Sequence, residues 1–496
     1  MIADQLPALQ IMVPLIAAPI AIILRNGKAA WALAVFANVL AFATAWGLLD
    51  QVLDSGVAIR YSIGGWAAPT GIEYYVDTLN ASLLLVVSGI SLIVLIYAYH
   101  SINKSVNKEK HYLLYAAWML CLTGLLGIVI TGDAFNVFVF LEISSLATYM
   151  LIAFGDDRRS LTAAFRYLVL GSVGASFILI GIGFLYAATG TLNMVDLATR
   201  IPESESSRAV LVAFSFLTIG IMIKAAVFPL HAWLANAYTF APIAITAFLA
   251  GTATKVSIYI LLRFFFSIFG EDYSFGQLFL NGVLLPGAVA GFVLMSLVAI
   301  FQTDLRRMLA YSSVAQIGYI VAGISLATEA GLTAGIVHVM NHALIKATLF
   351  MAVGCMIYRI GHAHRPSLDE LMKHMPLTCI AFILAGLGLI GVPLTVGFVS
   401  KFSLIGAAME KGWWLIALLV LLSSLMAVIY IGRVAEIMIF RRSRTASAAP
   451  SGINEAPLMM LIPMYTLLFI GLYFGIKGSL TLNLAGRAAR ELLGGY

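Results

Sequence analysis

Apolar stretches of about 18 to 29 residues follow one another along the chain, separated by short clusters of polar residues, glycine and proline. A hydrocarbon layer of roughly 30 Å takes about 20 residues of α-helix to cross. The pattern therefore predicts membrane spans near 8–25, 31–49, 78–98, 113–130, 133–153, 162–187, 209–237, 243–268, 277–301, 306–324, 330–358, 377–404, 413–440 and 457–480. This is an all-α integral membrane protein of about 14 transmembrane helices. Two of the long spans contain an interior proline, Pro229 in the seventh and Pro393 in the twelfth. Proline removes a backbone donor and clashes with the preceding turn, so both spans are expected to be broken. The text around them is similar, Phe228-Pro229-Leu230-His231 against Val392-Pro393-Leu394-Thr395, and the two lie five spans apart. An odd separation makes the two segments cross in opposite directions, as in an inverted repeat whose broken helices mark ion sites near the midplane. Either proline alone can also be a simple packing kink.

Composition agrees with this picture. Of 496 residues, 61% are hydrophobic and only 10% charged, and the mean hydropathy is +0.99. A water-soluble globule carries about a quarter charged residues. The first span has an acidic residue and no basic one ahead of it, so it reads as a retained helix and not a signal peptide. The net charge of +6 comes mostly from loop lysines and arginines, which sets nucleic acid aside. One set of alternate loops holds Arg25, Lys28, Lys104, Lys108, Lys110, Arg158, Arg159, Arg306, Arg307, Arg359, Arg365, Lys373, Arg441, Arg442 and Arg444. The other holds Arg60, Arg200, Arg208 and Lys411 before a tail with Lys477, Arg487 and Arg490. The bias puts both termini on the non-cytoplasmic side of a cell inner (plasma) membrane, and the tail runs against it. Cys121, Cys355 and Cys379 are too scattered for a disulfide framework, a zinc site or an iron–sulfur cluster.

Against this background the ionisable residues inside apolar spans stand out. Each costs roughly 2.5–3.5 kcal/mol at a helix centre on insertion scales, so it should face the protein interior and have a task. Glu142 lies mid-span, with Ser145 and Tyr149 on the same face; a lone carboxylate can also simply bridge two helices. Lys224 lies five residues before Pro229, where carbonyls freed by the break can solvate an ammonium. Lys255 sits mid-span in Gly251-Thr252-Ala253-Thr254-Lys255, too deep to snorkel. A carboxylate and a desolvated lysine at variable separation can store and release a proton, whereas a static buried pair gains little stability. His338, His342 and Lys346 step by four along one helix face, a row suited to a proton relay. No carboxylate or cysteine in that segment completes a metal ligand set. Lys401 follows Pro393 as the counterpart of Lys224, and His231, beside Pro229, is either a relay member or a cap on broken backbone.

These residues resemble a family: the antiporter-like membrane subunits shared by Mrp-type cation/proton antiporters, respiratory complex I and membrane-bound hydrogenases. The resemblance rests on Phe140-Leu141-Glu142-Ile143-Ser144-Ser145, on 223–234 with Lys224, Pro229 and Trp233, on 304–313 with Asp304, Arg306 and Tyr311, and on His342-Ala343-Leu344-Ile345-Lys346-Ala347. It implies helices 1–3 in residues 1–112, a first five-helix repeat in 113–268, an inverted second in 277–440, and a last helix and tail in 441–496. It also implies a proton path through Glu142, Lys224, Lys255, His338, His342 and Lys401. Length and local text favour the D-type chain of an Mrp-type antiporter, working with other membrane subunits, protons, Na+ and lipid. A proton-pumping arm of a redox complex is the alternative. The chain has no dinucleotide loop, haem or cluster signature, so any electrons would belong to partners. After Trp233, Leu234-Ala235-Asn236-Ala237-Tyr238 replaces the family's usual Leu-Pro-Asp-Ala-His, which puts a proton-uptake role for Asn236 and Tyr238 in doubt.

Overall fold

The computed structural model describes residues 3–204, 207–365, 368–369, 371–440 and 454–494. Arg441, Arg442 and Arg444, used above in the charge count, lie outside the described residues.

The first helices are α1 (Leu6–Leu24), α2 (Gly27–Ser55), α3 (Thr78–Ser105), α4 (His111–Ile130), α5 (Ala134–Ala153) and α6 (Arg158–Thr189). A short helix α7 (Met194–Arg200) then leads to α8 (Arg208–Lys224) and α9 (Ala232–Phe240), the two halves of the span at 209–237. The span at 243–268 is α10 (Ile243–Gly251) followed by α11 (Ala253–Leu262), which widens into a π-helical turn at Arg263–Ile268. After α12 (Asn281–Ile300), α13 (Leu305–Ser325), α14 (Glu329–Ile360) and the short α15 (Leu371–His374), the span at 377–404 divides into α16 (Pro376–Ile390) and α17 (Val396–Glu410). The chain continues through α18 (Trp414–Phe440), α19 (Leu458–Ile476) and α20 (Gly478–Leu493).

Twelve described helical segments are long and apolar enough to cross a membrane. The spans at 209–237 and 377–404, where proline stands, are each split into shorter halves. Many helices start at a capping side chain: Asp133 accepts from the backbone N–H of Asn136 at 2.7 Å, Asp304 from that of Arg306 at 2.8 Å, and Thr328 from that of Gly331 at 3.1 Å. These caps satisfy N–H groups that no helical carbonyl reaches.

Three features depart from the reading of the sequence. The span at 243–268 is interrupted at Thr252, whose φ of −123° and ψ of −61° leave the helical region. The segment between α2 and α3 forms a two-stranded antiparallel hairpin, β1 (Ile59–Ser62) with β2 (Glu73–Val76), pairing Ile59 with Val76 and Ser62 with Glu73. The C-terminal tail is the 16-residue helix α20, which buries Thr481, Ala485, Ala488, Ala489 and Leu492 and presents Arg487, Arg490 and Glu491 to neighbouring groups. Arg490 bonds Glu329 at 2.7 Å, and Glu491 accepts from the Thr78 hydroxyl at 2.6 Å, so α20 clips onto the ends of α14 and α3.

Helix α14 runs through the middle of the molecule, touching α3, α10, α11, α13, α16, α17, α19 and α20. Surrounded on so many sides, it buries long polar side chains, His338, Asn341, His342 and Lys346 among them. The outward faces of α6 and α18 carry exposed Leu161, Phe165, Val173, Leu418, Leu425 and Ile429, as a lipid-exposed surface requires.

Candidate functional site: a line of buried ionisable side chains

Lys224 is the last residue of α8, and the backbone then leaves the helix: Ala226 takes φ +54° and Pro229 offers no N–H. The indole N–H of Trp233 donates to the Ile223 carbonyl at 2.9 Å, which also accepts from the backbone N–H of Ala226 at 3.2 Å. Trp233 in turn stacks on Tyr167 with ring centres 3.9 Å apart and planes at 6°, tying the break to α6. The opposite side of the loop lies on glycines of α12, where a Cβ on Gly287 would meet the Phe228 carbonyl oxygen at 2.9 Å.

The Lys224 ammonium does not use the freed carbonyls, as the sequence suggested. It donates to the Ser145 hydroxyl at 2.9 Å. Ser145 is one helical turn beyond Glu142 on α5, and no ion pair within 4.0 Å joins Glu142 to Lys224. Glu142 is half-buried, and its Oε1 is enclosed without a hydrogen-bond partner. The two charges nevertheless lie within electrostatic reach of each other. A carboxylate with an unpartnered oxygen, one helical turn from the serine that holds the ammonium, is closer to a movable pair than to a fixed salt bridge. His231, at the far lip of the break, stacks on Phe228 at 5.2 Å, and its Nδ1 is buried without a partner.

Lys255 stands just past the Thr252 interruption, in the first turn of α11, and is only 1% exposed. Its ammonium donates to the Ala250 carbonyl, freed by that interruption, and to the Thr254 hydroxyl at 3.3 Å. Ala250 lies in the last turn of α10, whose terminal carbonyls are negative and unpaired, so the ammonium is favoured by the end of α10 that it reaches.

Across from Lys255 stands the row on α14. His338 and His342 stack with ring centres 6.1 Å apart and planes at 7°, one turn from each other as the four-residue spacing requires. The two nitrogens of His338 are engaged by Ser400 Oγ at 2.8 Å and Gln316 Oε1 at 3.0 Å. Both nitrogens of His342 are buried without a partner. Lys346 donates to the Leu309 carbonyl at 2.9 Å and the Ser312 hydroxyl at 2.5 Å. Lys255 lies within electrostatic reach of His338, His342 and Lys346.

Lys401 ends the line. The second break comes at Gly391, whose φ of +91° suits glycine, and Pro393. Here an ammonium does take the freed carbonyls: Lys401 Nζ donates to Leu389 and Ile390, both at 3.0 Å, and to Ser424 Oγ at 3.1 Å. It also lies 4.7 Å from the Tyr319 ring centre, over its face. Lys401 therefore corresponds only loosely to Lys224, since one follows its break and the other precedes it. Asn341 completes the site by donating from Nδ2 to the Val396 carbonyl at 2.7 Å, which holds the start of α17 against α14.

The structure thus gathers Lys255, His338, His342, Lys346 and Lys401 in one buried core and sets Glu142 and Lys224 beside the first break. Sequence reasoning missed Gln316, Ser400 and Ser424 as their partners. Each is an ordinary polar residue in an apolar span, so it carries no signal until the helices are packed.

Known proteins share this architecture. The profile for "NADH:quinone oxidoreductase/Mrp antiporter, TM" matches residues 131–427, a stretch that contains every one of these ionisable groups. The N-type chain of the NADH-quinone oxidoreductase of Desulforudis audaxviator is 41% identical over 428 residues, 84% of this chain and 85% of that protein. The D-type chain of the Na(+)/H(+) antiporter of Bacillus subtilis is 31% identical over 446 residues, 90% of this chain and 88% of that one. Among solved structures, a chain of the Mrp complex from Dietzia sp. superposes with a TM-score of 0.89 at 27% identity, covering 99% of this chain and 98% of that one. A chain of the membrane-bound sulfane sulfur reductase, an archaeal respiratory complex, does so with a TM-score of 0.91 at 31% identity over the same shares. Both are multisubunit membrane complexes. On the matched profile and these relatives, the chain is a multi-pass membrane protein that belongs to the NADH:quinone oxidoreductase/Mrp antiporter transmembrane family.

Proposed function

We propose that the chain is the proton-translocating membrane subunit of a multisubunit Mrp-type monovalent cation (Na+)/proton antiporter. The observation that carries the proposal is the run of ionisable side chains from half-buried Glu142 through buried Lys224, Lys255, His338, His342 and Lys346 to Lys401, housed around two proline breaks. In this reading Glu142 and Lys224 exchange a proton by way of Ser145, with His231 at the lip of the first break. Lys255 links that pair to the histidine row, and Lys401 passes the proton out of the second half. Water completes the steps that protein groups do not span, above all at His342, whose unpartnered nitrogens can each hold one hydrogen bond.

The same reading assigns residues 113–268 and 277–440 to two inverted five-helix repeats, each carrying one proline break, after helices in 1–112 and before the C-terminal helices in 441–496. The protein sits in the cell inner membrane with both termini on the non-cytoplasmic side. Its partners are other membrane subunits, one of which can hold the Na+ site. The antiporter identity draws on the Bacillus relative and the Dietzia complex. Complementing a deletion strain with Glu142→Ala or Lys224→Ala tests it: both variants are expected to lose salt tolerance and Na+-driven proton movement in everted vesicles. Wild-type behaviour would overturn the proposal.

A second reading, a proton-pumping subunit of a redox complex, is favoured by the 41% identity to the oxidoreductase chain and by the sulfane sulfur reductase neighbour. It requires iron, flavin or peripheral subunits in the purified complex. An antiporter requires none of them.

A further inference from the structure

One charged group buried as deeply as the central row plays no part in the path described above. Arg263, in the π-helical turn at the end of α11, is 3% exposed and bonds the carboxylate of Asp77. Its Nε donates to the hydroxyl of Tyr259 at 3.0 Å, and its Nη1 to that of Ser267 at 3.3 Å. Lys255, Tyr259 and Arg263 are spaced by four on α11, so they share one face and span about 12 Å from the first turn of the helix to its end.

Two separate cavities border this face. The inner one is lined by Lys255 and Tyr259 with Leu79, Leu83, Ile336 and Val339. The outer one lies at the surface beside α20, lined by Asp77, Arg263, Tyr75, Arg487 and Glu491. The Asp77–Arg263 pair forms the wall of the outer cavity that faces the inner one, with Arg263 bonded to Tyr259 of the inner lining. α20 stands over the same spot: Glu491 bonds the hydroxyl and backbone N–H of Thr78, the residue after Asp77, and pairs with Arg487 at 3.0 Å. A buried ion pair adds little net stability, so its placement between a central lysine and a surface pocket calls for another reason.

We propose that this face of α11 is a second proton passage, joining Lys255 directly to the membrane surface that carries α20, with the Asp77–Arg263 pair as its gate. The inference rests on the proposed proton-translocating role. A proton leaving the Lys255 ammonium crosses the inner cavity past Tyr259 as water enters it, and binds the Asp77 carboxylate. Neutralised, Asp77 releases Arg263, which turns toward Glu491 in the outer pocket, and the proton departs into that pocket as the pair re-forms. The apolar walls keep the inner cavity dry between passages, so the gate does not leak. Without this passage, protons reaching Lys255 can leave only along the α14 row and Lys401.

The test uses the assembled complex in everted vesicles. Asp77→Asn keeps the α3 cap, since asparagine caps as well as aspartate, and removes the charge. It is expected to slow proton movement about tenfold or more, with each tenfold being about 1.4 kcal/mol of barrier. Tyr259→Phe keeps the ring, removes only the hydroxyl, and is expected to slow it by about threefold on the same scale. Either variant at the wild-type rate in an assembled complex overturns the passage, and if Asp77→Asn fails to assemble, Tyr259→Phe decides alone. Lys255→Met in the same vesicles separates the two claims. If it abolishes proton movement while Asp77→Asn does not, only the passage fails; if it leaves movement intact, the translocating role itself has failed.

Discussion

Replacing Ser145 by alanine removes a single oxygen and, with it, the one acceptor the Lys224 ammonium reaches among the described residues, at 2.9 Å. A hydrogen bond to a charged group contributes about 1.5–3 kcal/mol. At about 1.4 kcal/mol per factor of ten, its loss makes holding a proton on Lys224 roughly 10- to 150-fold harder. The fold should survive, because alanine is the best helix former and Ser145 lies inside α5. The assay is the collapse of a pH gradient across everted vesicles on addition of Na+, read by a fluorescent amine and normalised to assembled complex. Ser145→Ala is expected to slow the response by about tenfold or more, and Ser145→Thr, which keeps the hydroxyl, to restore most of it. A Ser145→Ala rate within about twofold of wild type would refute the reasoning, since charge-assisted bonds in buried sites are worth more than that.

Other perturbations separate packing from proton handling. A Cβ on Gly397 would sit 1.8 Å from the Gly388 carbonyl oxygen, where the two halves of the second broken span touch. Gly397→Ala should therefore cost about 1–3 kcal/mol or force the halves apart, seen as a lower unfolding temperature of the purified complex; an unchanged temperature would contradict the close packing. His342→Asn should leave that temperature near wild type, because neither ring nitrogen bonds a protein group, yet should abolish proton movement. Retained movement would remove His342 from the path.

How much of this was readable without coordinates depends on the residue. Pro229 and Pro393 stand in two of the longest spans, and both spans are divided where they stand; proline alone is not enough, since Pro14, Pro19, Pro286 and Pro463 lie inside undivided helices. The Thr252 interruption was not readable: threonine is compatible with a helix, and only packing pulls its backbone out. The hairpin at Ile59–Val76 is four residues a side and falls in a stretch that hydropathy treats as a loop. α20 carries a legible stripe, with Thr481, Ala485, Ala488, Ala489 and Leu492 recurring at helical spacing, but it is too polar to score as a span. Among the ionisable groups, identity and depth could be read from the apolar text around them, while partners could not. Lys401 reaches carbonyls 11 and 12 residues back, and Lys224 reaches a serine 79 residues away. Such contacts follow from where a broken helix folds back, which local patterning does not encode.

The central claim is that Lys255, proposed to link the Glu142–Lys224 pair to the α14 row, is an obligatory carrier. Lys255→Met fills nearly the same volume without a charge and leaves the freed Ala250 carbonyl unpaired. Proton movement by complexes bearing this substitution, shown intact by co-purification of their subunits, is the most direct measurement. Its loss with assembly unchanged is the expected result, and wild-type flux through a Lys255→Met complex would contradict the claim.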